Sequence, residues 1–275
     1  MIFQDSEFIK PERVDEALNA FAECRERGLD PEYFSGGTEI VTMARDGKLP
    51  AQALIDLKGI EETQEVRRSD GVLHMGSSAT LNHLIDSADF PLLASCAGGL
   101  ADHTVRNSIT LGGNIAGKLP YREAMLPLLI HDAQVTLGGQ EGGTKLSKVS
   151  LRELFDKRLR LNPGAFLVSF ELPEAAAAGR FWYRRWVKSS RVDYPIVTLA
   201  AVVFEDELHY ATAGSLSYPV WGRAAVADLK GGAAAAAAED AVASLGKLKS
   251  DARASAEYRR ALLTQGLVEA AKTLS

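Results

Sequence analysis

"TVRNSITLGGNIAGKLP", residues 104–120, sets Gly112 and Gly113 in a stretch that is otherwise apolar and β-prone. Each glycine weakens an element unless the backbone must bend there or be approached closely. A second pair, Gly36-Gly37 in "YFSGGTEI" (33–40), has similar surroundings, with Ser35 and Thr38 beside it as Thr110 stands near the other. Such pairs expose successive backbone N–H groups, and a helix starting near Thr38 would aim its positive end at the same place. Two such segments facing one another would hold a pyrophosphate from both sides. The plainer reading of any one Gly-Gly pair is an ordinary turn, and it is the reading given to Gly138-Gly139 and Gly142-Gly143. No G-x-G-x-x-G follows a strand and no G-x-x-x-x-G-K-[ST] occurs, so neither the Rossmann nor the Walker mode of dinucleotide or phosphate binding has its fingerprint.

Around these segments the chain reads as α+β. Val14, Ala17, Leu18, Phe21 and Ala22 fall on one helical stripe that Gly28 stops, and a strand is expected over 53–57. Asp70-Gly71 between two strand-like runs predicts a hairpin. Helical patterns follow at 80–87, 91–101 and 121–131, with strands at 134–137 and 165–172. Pro173 and the alanines after it suggest a boundary. Beyond it, strands at 181–187, 197–204 and 208–214 precede helices at 220–229, 234–244 and 253–273. The alanine run 233–238 leads into Glu239 and Asp240 and reads as a surface helix, since alanine is the best helix former.

The 275 residues suffice for a substantial core without disulfides or structural metal. Cys24 and Cys96 are the only cysteines and are expected as buried free thiols. The five histidines form no metal-ligand spacing, so neither an iron–sulfur cluster nor a zinc site is expected in this chain. A net charge of −5 spread along the sequence gives no footprint for nucleic acid. "MIFQDSEFIK" lacks the basic start and apolar run of a signal peptide, and no stretch approaches the roughly 18 apolar residues of a membrane span, so a cytoplasmic protein is expected.

"FSGGTEI" followed by "LIDLKGI", and then "TVRNSITLGGNIA", resemble the FAD-binding medium subunit of the molybdenum hydroxylases, the family of xanthine dehydrogenase and carbon monoxide dehydrogenase. "DARASAEYRRALL" resembles that family's terminal helix. The resemblance implies a two-subdomain FAD-binding fold of the vanillyl-alcohol-oxidase (PCMH) type followed by a C-terminal α+β subdomain, a small antiparallel sheet with helices. The expected divisions are 1–60, 61–174 and 175–275. It implies an electron-transfer subunit that binds FAD and relays electrons from a partner small subunit holding [2Fe-2S] clusters. A molybdopterin large subunit would oxidise the substrate, and NAD or another acceptor would take the electrons.

Residue by residue, the resemblance implies a first loop of Phe34, Ser35, Gly36, Gly37, Thr38, Glu39 and Ile40, and a second of Thr110, Gly112, Gly113, Asn114 and Ala116 preceded by Arg106 and Asn107. Three departures stand out: Ile109 replaces a usual glycine, Gly117 sits where a side chain can stand, and Pro120–Glu123 replaces P-x-S-D, with Glu123 in the carboxylate's place. Leu161 matches a leucine packed on the flavin ring and Arg185 a lysine near it, with Tyr194 a further candidate. A positive Arg185 beside the flavin would ease its reduction. Read without the family, Leu161 is core packing, Arg185 a solvated charge, and the cluster of Trp182, Tyr183 and Trp186 strand core. No residue is expected as a catalytic acid or base. Two other functions stay open: a free-standing FAD-dependent oxidoreductase of the same superfamily, and an assembly subunit with this fold that no longer binds FAD.

Overall fold

The computed structural model describes residues 6–49, 51–189 and 192–275; the first five residues of the stretch read for a leader lie outside it. The chain forms two compact units. The first comprises Met1–His83, His103–Gly117 and Ala133–Glu174, and the second Leu84–Asp102, Lys118–Asp132 and Ala175–Ser275. Of the sequence-based divisions, that after residue 174 is also a limit of a unit, whereas the one at residue 60 falls inside the first unit. Two segments expected in the middle division, 84–102 and 118–132, group with the C-terminal part.

In the first unit, Ala53–Asp56 is the centre of a three-stranded parallel sheet with Glu7–Ile9 and Pro31–Phe34 on its flanks. Helix Val14–Glu26 covers it, burying Val14, Ala17 and Leu18 in a cluster with Ile55, Leu57, Ile60, Phe166 and Val168. Gly28 follows the helix at φ +76, a conformation that costs an L side chain energy. The Asp70-Gly71 hairpin joins Val66–Ser69 to Val72–Gly76 at the edge of a five-stranded antiparallel sheet that continues through Phe166–Pro173, Gln134–Gly138 and Leu146–Ser150.

The second unit is built on the antiparallel sheet Phe181–Val187, Pro195–Phe204, Glu207–Ala213 and Val220–Ala225. Helices Ala234–Ser244 and Ala256–Leu274 cover one side, enclosing Val197, Leu199, Ala201, Leu263 and Leu267. Trp182 and Trp186 pack against this cluster, as their strand position predicts.

Two local expectations are corrected. Residues 111–116 form a helix, Leu111–Ala116, where a β-prone stretch was read, because Thr110 caps its first turn. Residues 220–225 extend the sheet and only Val226–Lys230 is helical, because alternating burial along Val220–Ala225 suits an edge strand. Among the described residues no helix is long and apolar enough to cross a membrane.

Candidate functional site

The two glycine segments meet in the first unit. Strand Pro31–Phe34 ends at Ser35, the chain turns through Gly36 and Gly37, and helix Thr38–Arg45 begins with Gly37 as its N-cap at φ +73. A Cβ on Gly37 would lie 2.5 Å from Cζ of Phe34, so both backbone angle and space demand glycine. A Cβ on Gly36 would fall 1.6 Å from the carbonyl oxygen of Ser108, in the other segment. The N–H groups of Gly36, Gly37, Thr38 and Ile40 find no acceptor among the described residues, while the amide of Val41 donates to the Gly37 carbonyl at 2.8 Å. The start of this helix therefore presents unbonded donors and the positive end of its dipole. Lys58 adds charge nearby: its Nζ donates to the Ser35 carbonyl (3.0 Å) and to Asp56 (2.6 Å), and lies 4.7 Å from the centre of the Phe34 ring.

The second segment behaves differently. Its amides are all engaged: Leu111 donates to Ala79, Gly112 to Ser77, Asn114 to the Thr110 carbonyl, and Gly113 to Thr110 Oγ1 at 3.2 Å. The expected amide cradle is thus confined to the first loop. Gly112 is there for close packing, since a Cβ would sit 2.7 Å from Cβ of Ser77. Gly113 and Ala116 are exposed and Gly117 half-buried, and their spacing puts the three on one face of the helix end. That face carries almost no side chain. A Cβ on Gly117 would come 2.7 Å from Glu39 Oε2, the end of a side chain that can move aside, and 3.2 Å from the Gly113 carbonyl oxygen.

Arg106 and Asn107 hold the approach to this helix through Asn82, a buried residue the sequence reading did not single out. Asn82 donates to Asn107 Oδ1 and to the His103 carbonyl, both at 2.7 Å, and accepts from Arg106 Nε at 3.1 Å. Ser35 Oγ and Asn114 Oδ1 are buried polar atoms with no hydrogen-bond partner, one in each segment. Leu161, also in the first unit, is half-buried and lies in the chain between strands Arg158–Leu159 and Phe166–Pro173.

Glu123, Arg185 and Tyr194 belong to the second unit. Glu123 is wholly buried and accepts from Arg185 Nε (2.9 Å), from Arg185 Nη2 (3.4 Å) and from Thr198 Oγ1 (2.5 Å). Burial pushes its carboxyl upward from the ordinary range, against the pull of Arg185 and Thr198 toward the ionised form. Arg185 is therefore no solvated charge: its side chain donates to the buried Glu123. Thr198 had a visible signal, the lone hydroxyl in the apolar run "PIVTLAAVVF" (195–204). Tyr194 is partly exposed and stacks on Tyr121, ring centres 4.6 Å apart.

Residues 3–175 match the family model described as the FAD binding domain in molybdopterin dehydrogenase. The chain belongs to this family. Its cofactor is FAD. The chain is 25% identical over 187 residues to the nicotinate dehydrogenase FAD-subunit of Eubacterium barkeri, covering 65% of this chain and 62% of that one. It is 30% identical over 140 residues to the carbon monoxide dehydrogenase medium chain of Hydrogenophaga pseudoflava, covering 50% and 48%. The match thus spans less than two thirds of either relative. A solved carbon monoxide dehydrogenase from Hydrogenophaga pseudoflava has the same fold, with a TM-score of 0.83 at 24% identity over 100% of this chain and 98% of that one.

The residues of the FAD-binding domain fit such a group. Unbonded amides at a helix start suit a phosphate, and a helix face bare of side chains lets a flat or extended ligand approach the backbone.

Proposed function

We propose that this chain is the FAD-carrying electron-transfer subunit of a molybdenum hydroxylase, taking electrons from the iron–sulfur clusters of a small subunit and passing them to NAD or another acceptor, while a molybdopterin subunit oxidises the substrate. The observation that carries this reading is the row of unbonded amides at Gly36, Gly37, Thr38 and Ile40 beside the bare face of Gly113, Ala116 and Gly117, in a chain of this family. When bound, FAD supplies the ability to accept and release electrons singly or in pairs.

In this reading the loop from Phe34 to Ile40 binds the pyrophosphate, with the dipole of helix Thr38–Arg45 favouring its charge. Thr110 fixes the helix start of the second segment, Asn114 offers its side-chain oxygen, and Gly112, Gly113 and Ala116 allow close approach. Arg106 and Asn107 keep that segment in register through Asn82. Leu161 packs on the flavin ring, and Glu123, Arg185 and Tyr194 are further proposed cofactor residues.

The chain's own inventory argues for partners. Cys24 and Cys96 are both buried, one in helix Val14–Glu26 and one in helix Pro91–Gly98, and a cluster takes about four cysteine ligands. Glu123 is closed from solvent and paired with Arg185, so it does not serve as a base toward a substrate. The test is anaerobic mixing of the FAD-loaded chain with purines, aldehydes and acyl-CoA esters, then dithionite and NAD. The flavin should keep its colour with every organic substrate and exchange electrons once reduced. Bleaching by a substrate without any partner would replace this reading with a self-sufficient flavoenzyme.

A further inference from the structure

Strand Ala53–Asp56 runs parallel to Pro31–Phe34 with Asp56 opposite Phe34, so the residues that follow the two strands emerge side by side. They are Lys58, in "LIDLKGI" (54–60), and the glycine turn 35–37. The buried Asp56 carboxylate accepts from the Lys58 amide (3.1 Å) and from its ammonium (2.6 Å), which fixes where the ammonium sits. From there Lys58 Nζ donates to the Ser35 carbonyl at 3.0 Å. It also lies 4.7 Å from the centre of the Phe34 ring, the ring that a Cβ on Gly37 would strike. One cation thus braces both the entry to the turn and the ring beneath Gly37.

The Ser35 carbonyl shares a peptide plane with the Gly36 N–H. That peptide is trans, so the two groups point to opposite sides of the chain. Holding the carbonyl toward Lys58 therefore turns the Gly36 N–H away from Lys58, where it finds no acceptor among the described residues. The restraint has to come from outside the turn, because Gly36 cannot be exchanged for a stiffer residue: a Cβ there would fall 1.6 Å from the Ser108 carbonyl oxygen. Glycine lets the peptide before it rotate at little cost, and a rotated peptide would offer an anion a carbonyl oxygen in place of a donor.

We propose that Lys58 is a positioning residue for the phosphate loop: by holding the Ser35 carbonyl it sets the peptide between Ser35 and Gly36 so that the Gly36 N–H is presented to the pyrophosphate of FAD. This rests on the reading of the chain as a FAD subunit. The experiment uses the full chain and measures its dissociation constant for FAD and the phosphorus NMR resonances of the bound FAD, with the melting temperature of the FAD-free chain showing that each variant is folded. K58M keeps the length of the side chain and loses the donor; it should bind FAD about 10- to 100-fold more weakly, with shifted pyrophosphate resonances. K58R keeps a donor and should retain most of the affinity and the wild-type resonances. K10M removes the cation over the neighbouring Phe8 ring and should match the wild type. In the wild-type chain the Gly36 amide resonance should move when FAD is added, and an unmoved resonance overturns the proposal whatever the variants do. K58M binding FAD as the wild type does, or K10M weakening it as much as K58M, overturns the positioning role and leaves the FAD reading intact. So do wild-type phosphorus resonances in a weakened K58M, which would make Lys58 a distant charge only. A wild-type chain that binds no FAD overturns the reading beneath the proposal.

Discussion

Gly37 and Gly47 both have φ near +70, but only Gly37 lies in the proposed phosphate loop. An alanine at either pays about 1–2 kcal/mol for the left-handed backbone. At Gly47 the added Cβ meets open space, whereas at Gly37 it meets the Phe34 ring. G37A should therefore lose FAD affinity far beyond G47A, as read by titration with FAD, and lose more thermal stability as well. A second residue-scale prediction concerns Thr198. T198V removes a donor from a buried carboxylate, and stability should fall by about 1.5–3 kcal/mol in urea unfolding. If Glu123 were solvated, the loss would be negligible. At this scale the sequence was legible where glycine was required: Gly36 and Gly37 stand at a strand-to-helix turn with unbonded amides. It misled at Gly112, whose neighbour is Ser77 across the chain, because a close approach by protein and one by ligand leave the same mark in sequence.

At the scale of elements, periodicity found the long helices and the buried strands, and failed where a single capping residue or an edge decided the outcome. Leu111–Ala116 is apolar enough for a strand, yet Thr110 accepts from Gly113 and starts a helix. Val220–Ala225 alternates half-buried and exposed residues, a weak signal over so few residues. The turn before helix Ala256–Leu274 yields a pH prediction. Burial opposes ionisation of Asp251, but the Arg259 guanidinium and the amides of Arg253 and Ala254 outweigh it and hold the carboxyl well below its ordinary value of 3.8. A depressed folded-state pKa contributes stability that is present above the unfolded value and lost as pH falls through the folded one. D251N should be less stable than the parent at neutral pH, and the gap in urea midpoint should narrow steadily as pH drops below 3.8. A gap independent of pH would mean that the aspartate acts by shape alone.

Across the whole molecule, the family and its cofactor were readable from short motifs, while the grouping of the chain was not. Helices Pro91–Gly98 and Met125–Ile130 join the C-terminal unit because their apolar sides pack on the sheet that starts at Phe181, a long-range choice that no local pattern encodes. Both glycine segments belong to the first unit, and Glu123, Arg185 and Tyr194 to the second. Because Glu123 and Arg185 form a buried pair, removing one partner strands a charge; R185Q should cost about 3–5 kcal/mol, and E123Q together with R185Q should recover part of it in a double-mutant cycle. The most direct measurement for the account as a whole is the visible spectrum of the purified chain, before and after acid precipitation. A flavin spectrum is expected, with one FAD per chain, released intact into the supernatant. A colourless chain that cannot be reconstituted with FAD would contradict it.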